Sequence, residues 1–394
     1  MKCVEYTSYR NRYLKLSAEA EGIRAKASDL RCDAADSSKR PKRRYVEMPR
    51  VKDKVTIYDV AKMANVSPAT ASRVLSGSNY PVKEALRKRV VEAAKKLNYS
   101  PNMLARSLKS NTSNDIGVII PTISNPFYSS VILGIEKEAD KRGYNLLLCN
   151  TFRDVEKEKR YLQSLYEKQV KGVIISTLGA RNIQEYIEKG LEFVLLDQKI
   201  DNLECSFISF DCFKGAYMAV EYLIQNGHRK IAFVSSPLTK WTRKETFKGY
   251  KAALSDNGIA VEEEYFLIGS HEEEIDEEGF EFKNGKEMAD EFIKRKLDAT
   301  AVLAVNDMTA FGFIQQMYLH GKRVPDDISV IGFDDISFAR MFSPPLTTVQ
   351  YPAYEVGRLA AMLLLDKLSG NNHSNMSVNL HPKLIIRDSV KPLA

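Results

Sequence analysis

From residue 115 onward, short β-branched runs recur along the chain: IGVII (116–120), YNLLLC (144–149), KGVIIS (171–176), FVLLD (193–197), FISF (207–210), KIAFVSS (230–236), AVLAV (301–305) and ISVIGF (328–333). Between most of them lie helical patterns, among them Tyr128–Arg142, Glu156–Gln169, Lys214–Asn226 and Met308–His320. Strands alternating with helices imply parallel sheets covered on both faces. The 280 residues after position 114 suit two such sheets side by side. A ligand would sit in the crevice at the strands' carboxyl ends, or between the sheets.

Between residues 54 and 109 the period is helical, while the leader before them shows little periodicity. In TIYDVAKMANVSPATASRVL (56–75), Thr56 caps a short helix with Asp59 three places on, a variant of the capping box. Val60, Ala61 and Ala64 share one face, and a turn through Asn65 and Val66 ends the helix. Ser67 caps a second helix with Pro68 at its first position, where a missing N–H costs nothing. Small residues (Ala69, Thr70, Ala71, Ser72) with one cation, Arg73, follow, and Val74 and Leu75 face inward. Short hydroxylated side chains with one cation can lie in a DNA major groove without steric conflict. Residues 83–98 carry Leu86, Val90, Ala93, Ala94 and Leu97 at helical spacing and would complete a three-helix headpiece, stopped by Tyr99-Ser100-Pro101. A short helical segment, Asn102–Lys109, and a polar linker follow.

The charge distribution separates a DNA-facing end from an acidic body. Residues 1–114 hold 25 Lys+Arg against 11 Asp+Glu, or +14; the remainder holds 33 against 40, or −7, giving the net +7 of the chain. The predicted domains are a basic leader (1–53, with SSKRPKRR at 37–44), a helix-turn-helix headpiece (54–99), a hinge helix and linker (100–114), and an effector-binding and dimerisation body (115–394). The body is expected to pass between its two subdomains near 210 and again within 330–352. Met48, just ahead of the headpiece, is an alternative start.

Several function classes fall away. Five cysteines form no CxxC pair and five histidines are scattered without partners, so no metal site and no cofactor are expected. There is no P-loop, GxSxG or HExxH motif, which argues against an enzyme. No run reaches 18 apolar residues and residues 1–52 hold no apolar signal core. The expected location is the cytoplasm, with no membrane association.

The chain resembles the LacI/GalR family of bacterial transcription regulators over roughly residues 54–390. The resemblance rests on TIYDVAKMANVSPATASRVL, YSPNMLARSLKS, IGVIIPTISNPFY, GHRKIAFV, VNDMTAFG, VPDDISVIGFDD and SPPLTTVQYP, in family order. It implies an all-α headpiece with a hinge helix, followed by an α/β body like a type I periplasmic sugar-binding protein with two parallel-sheet subdomains. It also implies a homodimer gripping a near-palindromic double-stranded operator. The base-reading face then falls on Pro68, Ala69, Thr70, Ser72 and Arg73, with Tyr58 and Asn98 either touching phosphates or packing. Leu108 matches the leucine wedged into the minor groove at the operator centre, beside Asn102, Ala105 and Arg106. Such a wedge costs about a few kcal/mol of unstacking. The matching effector positions are Asn125, Phe127, Lys240, Trp241, Thr242, Phe280 and Asp307, with Asp307 accepting from ligand hydroxyls or amines or capping the helix that follows.

Four departures qualify the match. An arginine common in sugar-responsive relatives is Thr246, and another is Gln198, with Arg243 and Lys240 available to compensate. The cap of the third headpiece helix is Lys83 rather than serine. No leucine-heptad tail follows LIIRDSV, so a tetramer of that kind is not expected. The expected function is a sequence-specific repressor switched by a small carbohydrate-like effector. The alternative is a catabolite-control-type global regulator with a phosphorylated carrier protein as corepressor. A transport binding protein would account for the body alone and leaves the headpiece unexplained.

Overall fold

A computed structural model of the chain describes residues 55–75, 81–99, 114–179, 181–197, 200, 203–270, 279–371 and 374–393. The chain divides into two compact units, residues 1–102 and 103–394. The leader 1–53, the hinge positions Asn102, Ala105, Arg106 and Leu108, and Gln198 lie outside the described residues.

The first unit holds α1 (Ile57–Ala64), α2 (Pro68–Leu75) and α3 (Glu84–Lys96). At the start of α1 the Thr56 N–H and hydroxyl both donate to Asp59, at 2.8 and 2.7 Å, which holds that carboxyl below its usual range. Asn65 ends the helix in the left-handed region (φ 49°), which a short amide side chain tolerates. The Thr70 N–H donates to the Ser67 hydroxyl at 3.1 Å, the capping bond the sequence predicts for α2. Val60, Ala61, Ala64, Ala71, Val74, Val90, Ala93 and Ala94 form the shared core. At α3, Lys83 makes no side-chain capping bond. Lys83→Ser is therefore expected to stabilise the headpiece by about 1 kcal/mol, seen as slower amide exchange along α3; unchanged exchange would show that another group already serves that end.

The second unit is two lobes. The first sheet runs in the order β11-β5-β4-β3-β1-β2, with β1 (Asp115–Ile120), β2 (Asn145–Asn150), β3 (Gly172–Ile175), β4 (Glu192–Asp197), β5 (Ser206–Phe210) and β11 (Ser377–Leu380). The second runs β12-β10-β9-β8-β6-β7, with β6 (Ile231–Ser235), β7 (Phe266–Ile268), β8 (Ala301–Ala304), β9 (Ser329–Asp334), β10 (Thr347–Gln350) and β12 (Lys383–Ile385). All neighbours pair in parallel except β10 with β12. The central strands are buried along nearly their whole length, as parallel strands covered on both faces must be.

The covering helices of the first lobe include α4 (Pro126–Lys141), α5 (Val155–Glu167) and α6 (Arg181–Glu188). Those of the second are α7 (Cys212–Gln225), α8 (Trp241–Asp256), α9 (Phe280–Lys294) and α10 (Asp307–Leu319), while α11 (Ala353–Leu368) returns to pack on α4 of the first. A Cβ on Gly357 would collide with the Val131 carbonyl, and one on Gly134 with that of Tyr354, so these glycines let α4 and α11 meet backbone to backbone. The chain crosses between sheets after β5, after β10, and a third time between Leu380 and Lys383. The third crossing was not anticipated, because β11 and β12 are short edge strands with little hydrophobic signal.

Candidate DNA-reading face and effector cleft

On α2 the helical period divides two roles. Ala71 and Val74 face the headpiece core, while Pro68, Ala69, Ser72 and Arg73 are exposed and Thr70 is half-buried. Tyr58 on α1 is 69% exposed, so it does not serve the core. The Thr70 hydroxyl lies 2.9 Å from that of Ser67. The exposed face thus offers small side chains, one hydroxyl and one guanidinium.

The second candidate site lies where strand order reverses in each sheet. β1 stands between β3 and β2, and β6 between β8 and β7, so the turns after β1 and β6 splay apart and leave a crevice. The first turn supplies Asn125, whose side chain accepts from the Phe127 N–H at 2.9 Å, and Phe127 and Tyr128 on the first turn of α4. The second supplies Lys240 and, from α8, Thr242, Arg243 and Thr246. Arg153 follows β2, Asp197 and Asp334 end β4 and β9, Glu281 begins α9, and Tyr351 stands at the crossing after β10. Together they enclose an inner chamber of about 80 Å³. An outer chamber of about 270 Å³ shares Arg153, Asp197, Lys240 and Thr242 with it and adds Ser176, Thr177, Thr239 and Trp241.

The backbone around this cleft is strained in the way ligand clamps are. Phe152 (φ 52°), Arg153 (φ 62°), Asp197 (φ 74°), Asp334 (φ 115°) and Asp335 (φ 55°) all hold left-handed or otherwise sparsely populated conformations. Each such residue costs on the order of 1–3 kcal/mol. The strand-end aspartates thereby turn away from the ladder and into the crevice.

Electrostatically the cleft is a dense network. Arg153 of the first lobe forms an ion pair with Glu281 of the second, both side chains nearly inaccessible, and its guanidinium lies 4.9 Å from the Phe280 ring centroid. Burial alone would raise the Glu281 carboxyl, but Arg153, a backbone N–H, Arg243 and Lys240 outweigh it and hold it below the usual range. Asp197 accepts from the Ser176 hydroxyl at 2.7 Å and from Tyr351 at 3.2 Å. Burial, then Asp307, Glu281 and Asp197, push Asp334 well above the usual carboxylate range. Burial, with Arg153 and Arg243, pushes Lys240 down to about 7. Phe127 packs on Tyr128 at 5.3 Å and Tyr351 at 4.9 Å, giving the inner chamber aromatic walls.

Of the seven effector positions expected from sequence, Asn125, Phe127, Lys240 and Thr242 line the inner chamber, and Trp241 the outer one. Two do not line either chamber. Phe280 is buried behind the Arg153 guanidinium. Asp307 lies beneath the floor, accepting from the Thr348 hydroxyl at 2.6 Å and the Ile336 N–H at 2.9 Å. Both of its oxygens are used to join α10 to its neighbours, and Asn306, not Asp307, caps that helix. Thr246 does reach the cleft, its hydroxyl donating to the Thr242 carbonyl at 2.9 Å. Asp197 and Asp334 carry a sequence signal, since each is a carboxylate ending a β-branched run. Arg153 and Glu281 had no such signal, being 128 positions apart in different lobes.

A helix-turn-helix unit together with a two-lobed parallel-sheet body around a polar cleft defines a DNA-binding transcription regulator with an effector domain. Comparison with known proteins gives the family. Residues 56–102 match the family described as bacterial regulatory proteins, lacI family, and residues 113–387 match that of periplasmic binding proteins and the sugar binding domain of the LacI family. The chain belongs to the LacI family, and its body has the periplasmic-binding-protein-like fold. It is 36% identical over 342 residues to the HTH-type transcriptional repressor PurR of Mannheimia succiniciproducens, covering 86% of this chain and 99% of that one. Among solved structures it resembles the lac repressor dimer bound to operator and the anti-inducer ONPF, with 27% identity, a TM-score of 0.74, and 86% and 99% of the two chains covered. The CelR–cellobiose complex matches at 28% identity and a TM-score of 0.63, with 85% and 99% covered. The first two of these relatives are named as repressors and the third as a transcriptional regulator.

Proposed function

We propose that this chain, as a homodimer in the cytoplasm, represses transcription from a near-palindromic double-stranded operator, and that a small carbohydrate-like effector in the interlobe cleft switches its affinity. One observation carries the effector reading: the chamber is bounded by both lobes and combines aromatic faces (Phe127, Tyr351) with donors and acceptors (Asn125, Asp197, Thr242, Asn306). A sugar ring presents apolar faces to the former and hydroxyls to the latter. The related CelR structure holds cellobiose. Because a ligand there touches both lobes, it binds one relative arrangement of them more tightly and shifts the population accordingly. The segment 100–114, with Leu108 as the minor-groove wedge flanked by Asn102, Ala105 and Arg106, would carry that shift to the DNA. Exposed Tyr318, Leu319, Phe338 and Met341 give the second lobe apolar surface for a second copy to cover.

The test is a thermal-shift screen of the full chain against sugars, polyols, sugar phosphates, nucleosides and purines, then operator binding with each hit. A ligand at 100 times its Kd adds roughly 2.7 kcal/mol. A sugar that stabilises the protein and changes operator affinity supports the reading. Hits confined to purines or nucleosides would replace the carbohydrate class. Silence with small molecules and a response to a phosphorylated carrier protein would replace it with a protein corepressor. On the DNA side, Arg73→Ala is expected to cost about 1–3 kcal/mol on the operator if it reads a base; equal loss on random DNA would make it a phosphate contact.

A further inference from the structure

The outward residues of α2 stand in two files. Pro68 and Ser72 lie one helical turn apart on the first, and Ala69 and Arg73 on the second, all four exposed, while Ala71 and Val74 turn into the headpiece core. Between the files at the start of the helix, Thr70 is half-buried and tied to the cap: its N–H donates to the Ser67 hydroxyl at 3.1 Å, and the two hydroxyls lie 2.9 Å apart. The leading end of the exposed face is therefore apolar. Pro68 and Ala69 offer no side-chain donor or acceptor.

The leading turn of a recognition helix is the part that meets base edges in the major groove. A polar base edge closed off against a methyl group loses its water and gains no partner, which costs affinity. The C5-methyl of thymine is the one apolar group that the base pairs present in that groove. Ala69 has no side-chain torsion to fix, so the helix backbone alone places its methyl group. Four residues at about 1.5 Å each put Ala69 roughly 6 Å along the axis from Arg73, or about two base-pair steps of 3.4 Å.

We propose that Ala69 is a specificity-determining residue of the operator interface. It selects a thymine in each half-site through the C5-methyl group, and that thymine stands about two base pairs from the base facing Arg73. The inference rests on the operator-binding function proposed above and adds the identity of a base. An alanine kept there only as a strong helix former would favour no base.

The experiment selects duplexes from a random-sequence pool with the full chain, then exchanges each thymine of the enriched sequence for deoxyuridine, which removes the methyl group and nothing else. Exchange of one thymine per half-site is expected to weaken binding by about 4-fold, the worth of one buried methyl group. In Ala69→Gly the thymine and deoxyuridine duplexes should bind alike, whereas in Pro68→Ala the preference should persist. Each preference is a ratio measured on one protein, so a loss of headpiece stability in a variant cancels. In Arg73→Ala, the base whose identity ceases to matter should lie about two base pairs from that thymine. If sequences are enriched and their binding needs Arg73, yet no exchange lowers affinity, operator recognition stands and the thymine contact is overturned. A thymine preference that survives in Ala69→Gly, or vanishes in Pro68→Ala, overturns the assignment to Ala69. If no sequence is enriched over random DNA, the repressor function proposed above falls and this inference with it.

Discussion

Glu281→Gln is expected to destabilise the ligand-free body by about 3–5 kcal/mol, the usual cost of leaving one partner of a buried ion pair uncompensated. The pair joins the two lobes, Arg153 coming from the loop after β2 and Glu281 from the first turn of α9, and both side chains are about 95% buried. The guanidinium is further fixed against Phe280 by a backbone held at two consecutive left-handed residues, Phe152 and Arg153. Removing both charges should hurt much less than removing one, so Arg153→Met/Glu281→Met is expected to recover most of the loss. Denaturant unfolding followed by the fluorescence of Trp241, the single tryptophan and a wall of the outer chamber, reports the effect. A loss below about 1 kcal/mol in Glu281→Gln would mean that water reaches the pair. Because the pair spans the lobes, the same variants should alter effector affinity, and the double variant isolates that effect from stability.

The stability of the ligand-free body is expected to pass through a minimum near pH 7. Burial lifts Asp307 from the ordinary 3.8 to about 7, against the opposing bonds from Thr348 and Ile336. Between those values the folded protein holds protons that the unfolded chain has released, so stability falls as pH rises toward 7. Lys240 behaves in the opposite sense, lowered from 10.5 to about 7. Above pH 7 the unfolded chain keeps a proton that the folded chain has lost, so stability rises again with pH. With one pKa unit worth about 1.4 kcal/mol, each arm amounts to a few kcal/mol. His228, whose burial lowers its pKa below 6.5, trims the acid arm because the unfolded chain gains a proton there that the folded one does not. Chemical denaturation from pH 5 to 10 checks the profile. Lys240→Met should flatten the alkaline arm and Asp307→Asn the acid arm; a monotonic curve in the wild type would show that one of the two groups keeps its ordinary pKa, and a flat one that both do.

How far the sequence carried depended on whether a signal was local. The α1 and α2 caps at Thr56 and Ser67, the turn at Asn65 and the apolar face through Val60, Ala64, Ala71 and Val74 are encoded within a few residues of one another, and the helices form where that pattern places them. The buried parallel strands announced themselves as continuous β-branched runs for the same reason: a strand covered on both faces has no polar side to interrupt it. Asn125 and Lys240 were indicated by the family resemblance, and the structure puts each after a strand at which strand order reverses.

Other features were decided only in three dimensions. β11 and β12 are short edge strands whose alternation is too weak to read, yet they complete both sheets and create the third crossing. Asp307, aligned by motif with a ligand-binding carboxylate, uses both oxygens inside the protein, because the packing of α10 brings Thr348 and the backbone of Ile336 against it. The meeting of Arg153 with Glu281, and the absence of any such partner for Lys240 among the described residues, follow from how the two lobes close on one another. The sequence by itself determined the elements, the two-sheet body and the helix-turn-helix, because periodicity and capping are written in neighbouring residues. The tertiary structure decided which charges meet, which are buried and which are left to a ligand, because those energies depend on distance and enclosure between segments more than a hundred residues apart.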